Sequence, residues 1–245
     1  FAVAFTQTLY LLGFPLAIDV YDNGKPKRYN VWVNATAKNT FNFDVSKNAD
    51  LVNINADGVL LADITDQKTP EQNLMQYLGS KEFKSRYDAL NGIKDQVGKS
   101  PAATKLLTAA IKDPFFRVRM RALKTMDLSN AEQFKAMGAD AEKLATNDPK
   151  TLVQAAAISA LAKTKDKKYL PIFEKGLNAI SNAVKASSVS AIIDVDPSRA
   201  SSLADKIDLE GASDKLLEKL LPIIVKNKVT SQMSNIAQVN SRILN

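Results

Sequence analysis

The chain has 245 residues, 45% of them hydrophobic and 24% charged, enough for one large or two ordinary domains of a globular protein. It contains neither cysteine nor histidine, which excludes a disulfide framework, a thiolate centre, and the commonest general base and metal ligand. The net charge of +7 is uneven: residues 1–68 carry six basic and seven acidic groups, so the whole excess, a balance of +8, lies beyond them.

The first sixty-odd residues read as strands. Phe14, Leu16, Ile18 and Val20 alternate with Pro15, Ala17, Asp19 and Tyr21, the period of a strand with one buried face. Asp22-Asn-Gly-Lys25 supplies a tight turn, and Tyr29, Val31 and Val33 resume the alternation on the return. Phe41, Phe43 and Val45 make a further strand, and Val52 and Ile54 lead to a second hairpin signal at Asp57-Gly58, answered by Val59 to Ala62. Phe1 to Thr8 adds another strand, with Phe1, Val3 and Phe5 on one face. The spacing predicts a small antiparallel, Ig-like β-sandwich over residues 1–66.

The texture changes at Asp66. Thr69-Pro70, Ser100-Pro101, Asp113-Pro114, Asp148-Pro149 and Asp196-Pro197 each pair a capping side chain with a proline at a helix start. Thr69 with Gln72, and Ser129 with Glu132, have capping-box spacing. Helices are expected near 70–79, 81–97, 101–112, 114–127, 131–146, 149–163, 167–178, 181–194, 197–206, 212–226 and 229–243, with Pro222 breaking or kinking the tenth. Val118, Ala122 and Met126 share a helical face after Asp113-Pro114. Val153, Ala157 and Leu161 repeat that face after Asp148-Pro149, 35 residues on. Val184, Ser188 and Ile192 are a weaker third copy. Residues 67–245 therefore read as an all-α, HEAT/armadillo-like superhelix of stacked helix pairs.

Few side chains suggest chemistry. Gly92 to Ser100 looks like a phosphate-binding loop, but it is one residue too long between the glycines and follows a helix, so a helix end at Gly98 and a cap at Ser100 explain it better. Arg117, Arg119 and Arg121 are three of seven arginines. Arg117 and Arg121 share a face and Arg119 points away; the group fits either oxyanion capture or salt bridging between helices. Asp194 and Asp196 lack a third ligand for a metal site, and Asp196 reads as a cap. Trp32 stands on the strand face opposite Val31 and Val33, placed to pack on the helical part or another domain. No catalytic, cofactor-binding or metal-ligating residue is assigned.

The stretch Phe14-Pro-Leu-Ala-Ile-Asp-Val-Tyr-Asp-Asn-Gly-Lys-Pro-Lys-Arg-Tyr-Asn-Val-Trp-Val-Asn34 resembles the third domain of bacterial zinc aminopeptidases of the gluzincin family, the group of aminopeptidase N and leukotriene hydrolase. Ala49-Asp-Leu-Val-Asn53 and Asp57-Gly-Val-Leu-Leu61 are similar to the end of that domain. Gln76-Tyr77 and Arg86-Tyr-Asp-Ala-Leu90 resemble the start of its HEAT-like C-terminal domain. The resemblance implies the non-catalytic C-terminal region of such an enzyme, in which a helical bowl walls the substrate chamber and limits peptide access. It also implies that zinc and the catalytic domains belong to a preceding part of the same chain, since a chain without histidine cannot hold the His-Glu-x-x-His motif.

Phe1 opens inside an apparent strand with no signal peptide before it, so the chain reads as part of a longer protein. No apolar run reaches the roughly 18–20 residues of a membrane span. Cytoplasm and periplasm both stay open. On this reading the basic helices could favour a peptide's C-terminal carboxylate, and Arg117, Arg119 and Arg121 are the candidate chamber contacts. The alternatives are a free-standing HEAT-repeat interaction scaffold and, behind it, a basic helical repeat that binds nucleic acid.

Overall fold

The computed structural model describes residues 2–6, 13–36, 38–60, 64, 66–204, 221–222 and 225. The chain divides into two compact units, 1–110 and 111–245. The change of texture at residue 66 falls inside the first, because the helices that follow directly pack on the strands.

In the first unit, strands β1 (Ala2–Thr6) and β4 (Lys38–Asn42) form an antiparallel pair, while β2 (Phe14–Asp22), β3 (Lys25–Val33) and β5 (Leu51–Ile54) form a three-stranded antiparallel sheet in the order β3-β2-β5. The β2–β3 turn is as expected: Asn23 and Gly24 both have positive φ, 52° and 72°, which matches the twist of a two-residue hairpin. Leu16, Ile18 and Val20 of β2 pack with Val33 and Phe43 into the core.

Alternation implied one buried face for β2, but both faces are buried. Ala17, Asp19 and Tyr21 are also shielded, because β2 is the central strand and helices lie against it. Gly79, the last residue of α1 (Pro70–Gly79), approaches Tyr21 so closely that a Cβ there would stand 2.7 Å from the phenol oxygen. Ser85 of α2 (Phe83–Gly92) accepts from Asn53 of β5 at 3.1 Å and donates to the Ala56 carbonyl at 3.2 Å. Asp19 is neutralised by a two-pronged pair with Arg28 across the hairpin, at 2.7 and 2.9 Å.

The second expected hairpin does not form among the described residues. Asn55 takes a positive φ of 55°, and its amide accepts from the Leu60 N–H and donates to the Leu60 carbonyl. One side chain thus does the work of a partner strand, and Val59 and Leu60 stay outside the sheet. Residues 61–63 lie outside the described residues, as does Phe1, and of β1 only the backbone is described. The helix expected over 81–97 ends at Gly92, where the absent Cβ makes room for the Asn73 amide. Turns then lead through Gly98 (φ 78°) to Ser100, which caps α3 (Pro101–Ala110) by accepting from the Ala102 and Ala103 N–H groups. The Thr69–Gln72 capping box forms as expected.

In the second unit, α4 (Phe116–Thr125), α5 (Ala131–Asn147), α6 (Thr151–Ala162), α7 (Leu170–Leu177), α8 (Asn182–Val195) and α9 (Ala200–Ala204) follow one another, with 3-10 turns before α7 and α9. Helix α6 is apolar almost all round and buried accordingly, packed by α4, α5 and α8. Val118, Ala122, Met126, Val153, Ala157 and Leu161 are all fully buried, as their periodicity predicted. Val184, Ser188 and Ile192 are buried too.

Two of the Asp-Pro starts are displaced. Helices α4 and α6 begin at Phe116 and Thr151, not at the prolines, because Asp113 and Asp148 bond two residues ahead and close a turn outside the helix. Helix α5 is capped by Asn130, which accepts from the Gln133 N–H, while Ser129 donates instead to Asp127. Leu221 and Pro222 are helical; the remainder of the expected helices over 212–226 and 229–243 lies outside the described residues, apart from Val225. Among the described residues, no helix is long and apolar enough to cross a membrane.

Candidate functional site

The two Asp-Pro segments repeat one another bond for bond. Asp113 Oδ1 accepts from the Phe115 N–H at 2.8 Å, and Asp148 Oδ1 from the Lys150 N–H at 2.8 Å. Arg119 donates to the Asp113 carbonyl at 2.8 Å. Gln154, 35 residues on, donates to the Asp148 carbonyl at 2.7 Å. A side chain six residues after each Asp thus ties the helix back to its own turn.

Arg119 then reaches further than Gln154 can. Its Nε and Nη2 donate to the two carboxylate oxygens of Asp148 at 2.8 and 3.0 Å, and its Nη1 also reaches the Pro114 carbonyl. The arginine side chain is 12% exposed and its carboxylate partner 2%. This is a bidentate rung between α4 and the turn that precedes α6, the geometry a guanidinium supplies and an ammonium cannot. Beside it, an open cleft of about 570 Å³ is lined by Lys112, Asp113, Asp140, Lys143, Asn147 and Asp148, among others. Lys112 pairs with Asp140 at 2.9 Å. Counting Arg119, the cleft is lined by as many cations as carboxylates, so it is electrostatically balanced and no acid–base or nucleophilic group is set apart in it.

The other two arginines are separated from that rung. Arg117 is exposed, with its guanidinium 5.5 Å from the Phe116 ring centroid; Lys150 also sits over that ring, at 5.9 Å. Arg121 is half-buried, and its Nε has no hydrogen-bond partner among the described residues. Lys124 is exposed on the same stripe, since positions four and seven after Arg117 return to within about 40° of it. Among the described residues none of Arg117, Arg121, Lys124 and Lys150 has a carboxylate partner.

So the structure places Arg119 in the packing and leaves Arg117 and Arg121 on a basic face without a carboxylate partner among the described residues. Sequence reasoning separated Arg119 from the other two by face yet kept all three as candidate contacts, and it missed Lys124, although the spacing of Arg117, Arg121 and Lys124 was legible. It also missed Asp148 as the partner of Arg119, a pairing that only helix stacking creates.

At the far ends of these helices the turn after α6 is rich in lysine. Lys163 donates to the Met126 carbonyl at the end of α4, and Lys165 to the Asp194 carbonyl near the end of α8. Cations at helix C-termini satisfy the orphan carbonyls and complement the dipole. Lys167 pairs with Asp196, and Lys168 with Asp166. Asp196 is thus a salt-bridge partner and bonds Ser198; Asp194 is accounted for by its own interactions. Among the described residues no group of three or more acidic side chains is placed to hold a metal ion. Trp32 is 59% exposed.

Neither a protein-family model, nor a curated protein, nor a solved structure matches this chain.

Proposed function

We propose that this chain is the non-catalytic C-terminal region of a zinc metalloaminopeptidase. On this reading residues of the first unit form a β-sandwich that bridges to the catalytic domains, and the helices form a HEAT-like superhelix that walls the substrate chamber and limits which peptides enter. The supporting observation is the order of parts. An antiparallel hairpin carries the Phe14–Asn34 resemblance, and helices follow whose Asp-Pro turns recur at 35 residues with the same hydrogen bonds. The chain has no histidine, so its residues do not fit the family's zinc ligands, and no chemical step is assigned to them. Its contribution is steric and electrostatic.

The test is the coding sequence upstream of Phe1. A His-Glu-x-x-His motif is expected there, with aminopeptidase activity in the longer protein and altered peptide-length selectivity once the helices of 111–204 are removed. An upstream frame without a zinc motif overturns the reading and leaves a free-standing interaction scaffold, which the basic face of α4, unpaired among the described residues, favours.

A further inference from the structure

We propose that the Arg117–Arg121–Lys124 face of α4 docks an acidic helix of a partner protein, one that presents carboxylates at the spacing of four and three residues. The inference stands on three observations. First, the charge is unpaired among the described residues and gathered on one helical face. Lys112, Arg119, Lys167, Lys168 and Arg199 each meet a carboxylate. Among the described residues these three cations meet none, as is also true of the exposed Lys135, Lys143, Lys175 and Lys185, and they lie within about 60° of one another around α4. Second, the spacing is that of a helix. The three groups span about 10 Å along α4 at 1.5 Å per residue, and a second helix laid alongside repeats the same rise. Third, the stripe has an apolar shoulder. Met120 and Phe116 are half-buried on its flank, and Lys150 over the Phe116 ring extends the positive charge beyond the first turn.

A nucleic acid fits this face less well. Single strands are held by bases stacking on aromatic rings, but the ring of Phe116 already carries Arg117 and Lys150. A track of about 10 Å neutralises few phosphates of a duplex that carries a charge every ~1.7 Å.

The test uses the whole chain and a fluorescein-labelled alanine-based helical peptide with Glu at i, i+4 and i+7, followed by anisotropy. Arg117→Glu/Lys124→Glu should weaken binding about tenfold or more, and raising NaCl from about 50 to about 300 mM should weaken the wild type. Lys135→Glu/Lys185→Glu, exposed lysines on α5 and α8 with the same change in net charge, should bind like the wild type. Arg117 and Lys124 are exposed, so an unchanged helical circular dichroism spectrum should accompany the loss. Equal binding of the same peptide with Gln for Glu, no effect of the reversal, or an equal effect of the control pair would overturn the proposal. Tighter binding of an oligodeoxythymidine than of the peptide would overturn it too and reassign the face to nucleic acid.

Discussion

Single residues carry unequal weight, and Arg119 and Asp148 carry the most. Removing the arginine strands a carboxylate that is 2% exposed, which costs far more than removing both partners. Arg119→Met should lower stability by about 3–5 kcal/mol. Arg119→Met/Asp148→Asn should recover part of that loss, since Asn still accepts from the Lys150 N–H. Urea denaturation of the three proteins measures the difference; equal midpoints for wild type and Arg119→Met would show that the rung contributes nothing. Arg117→Ala, on the free face, should shift the midpoint little. Helical spacing sets Arg119 on a different face from Arg117 but does not say what either side chain meets. The distinction lies in what stands 29 residues further on, which no local pattern contains.

Between elements, close approach decides packing. Helices α7 and α8 meet where Gly176 faces Ser188: a Cβ on Gly176 would lie 2.0 Å from the Ser188 hydroxyl. That hydroxyl is buried without a hydrogen-bond partner among the described residues. Ser188→Ala should therefore be neutral or slightly stabilising. Gly176→Ala should cost about 1–3 kcal/mol despite its better helix propensity, because overpacking outweighs it. The double variant should lie between, since the Cβ of residue 188 still stands 3.1 Å away. Thermal melts followed by circular dichroism give all three values, and a stabilised Gly176→Ala would show that the helices can part at no cost.

Helix existence was legible from capping side chains and prolines, and buried faces from the spacing of four. The starts of α4 and α6 and the capping residue of α5 were not, because Asp, Ser and Asn each have competing turn bonds, and which one forms depends on the chain around it. For the same reason Asp57-Gly58 read as a hairpin while the Asn55 side chain closed the loop. The alternation of β2 revealed a strand but not its second covered face, since Ala17, Asp19 and Tyr21 look like an exposed row until helices are laid against them.

Over the whole molecule, titration follows from composition. Asp22, Asp127 and Asp196 are held below the usual carboxylate range by the hydroxyls of Ser46, Ser129 and Ser198, and Asp166 by the Lys168 N–H. A carboxyl lowered in the folded state stabilises it above the unfolded pKa of about 4, and that contribution disappears as pH falls through the folded value. Tyr21 works in the opposite direction. Burial raises its phenol above the ordinary value, so its contribution is complete below pH ~10 and is lost as pH climbs through the raised pKa. With no histidine or cysteine, no side chain at its ordinary pKa titrates between. The urea midpoint should be flat from about pH 5.5 to 8.5 and fall on both sides; a step between pH 6 and 7 would contradict this.

The sequence by itself determined that strands precede helices, where most helices lie, and which apolar faces are buried, because these depend on period and on neighbours a few residues away. It also determined the titration plateau, which needs only a count of residue types. Tertiary structure decided that β2 is covered on both sides, that Arg119 belongs to the packing, and that Arg117, Arg121 and Lys124 remain unpaired among the described residues. Those outcomes depend on groups brought together from distant positions, and a guanidinium has the same local signature whether a carboxylate meets it or solvent does.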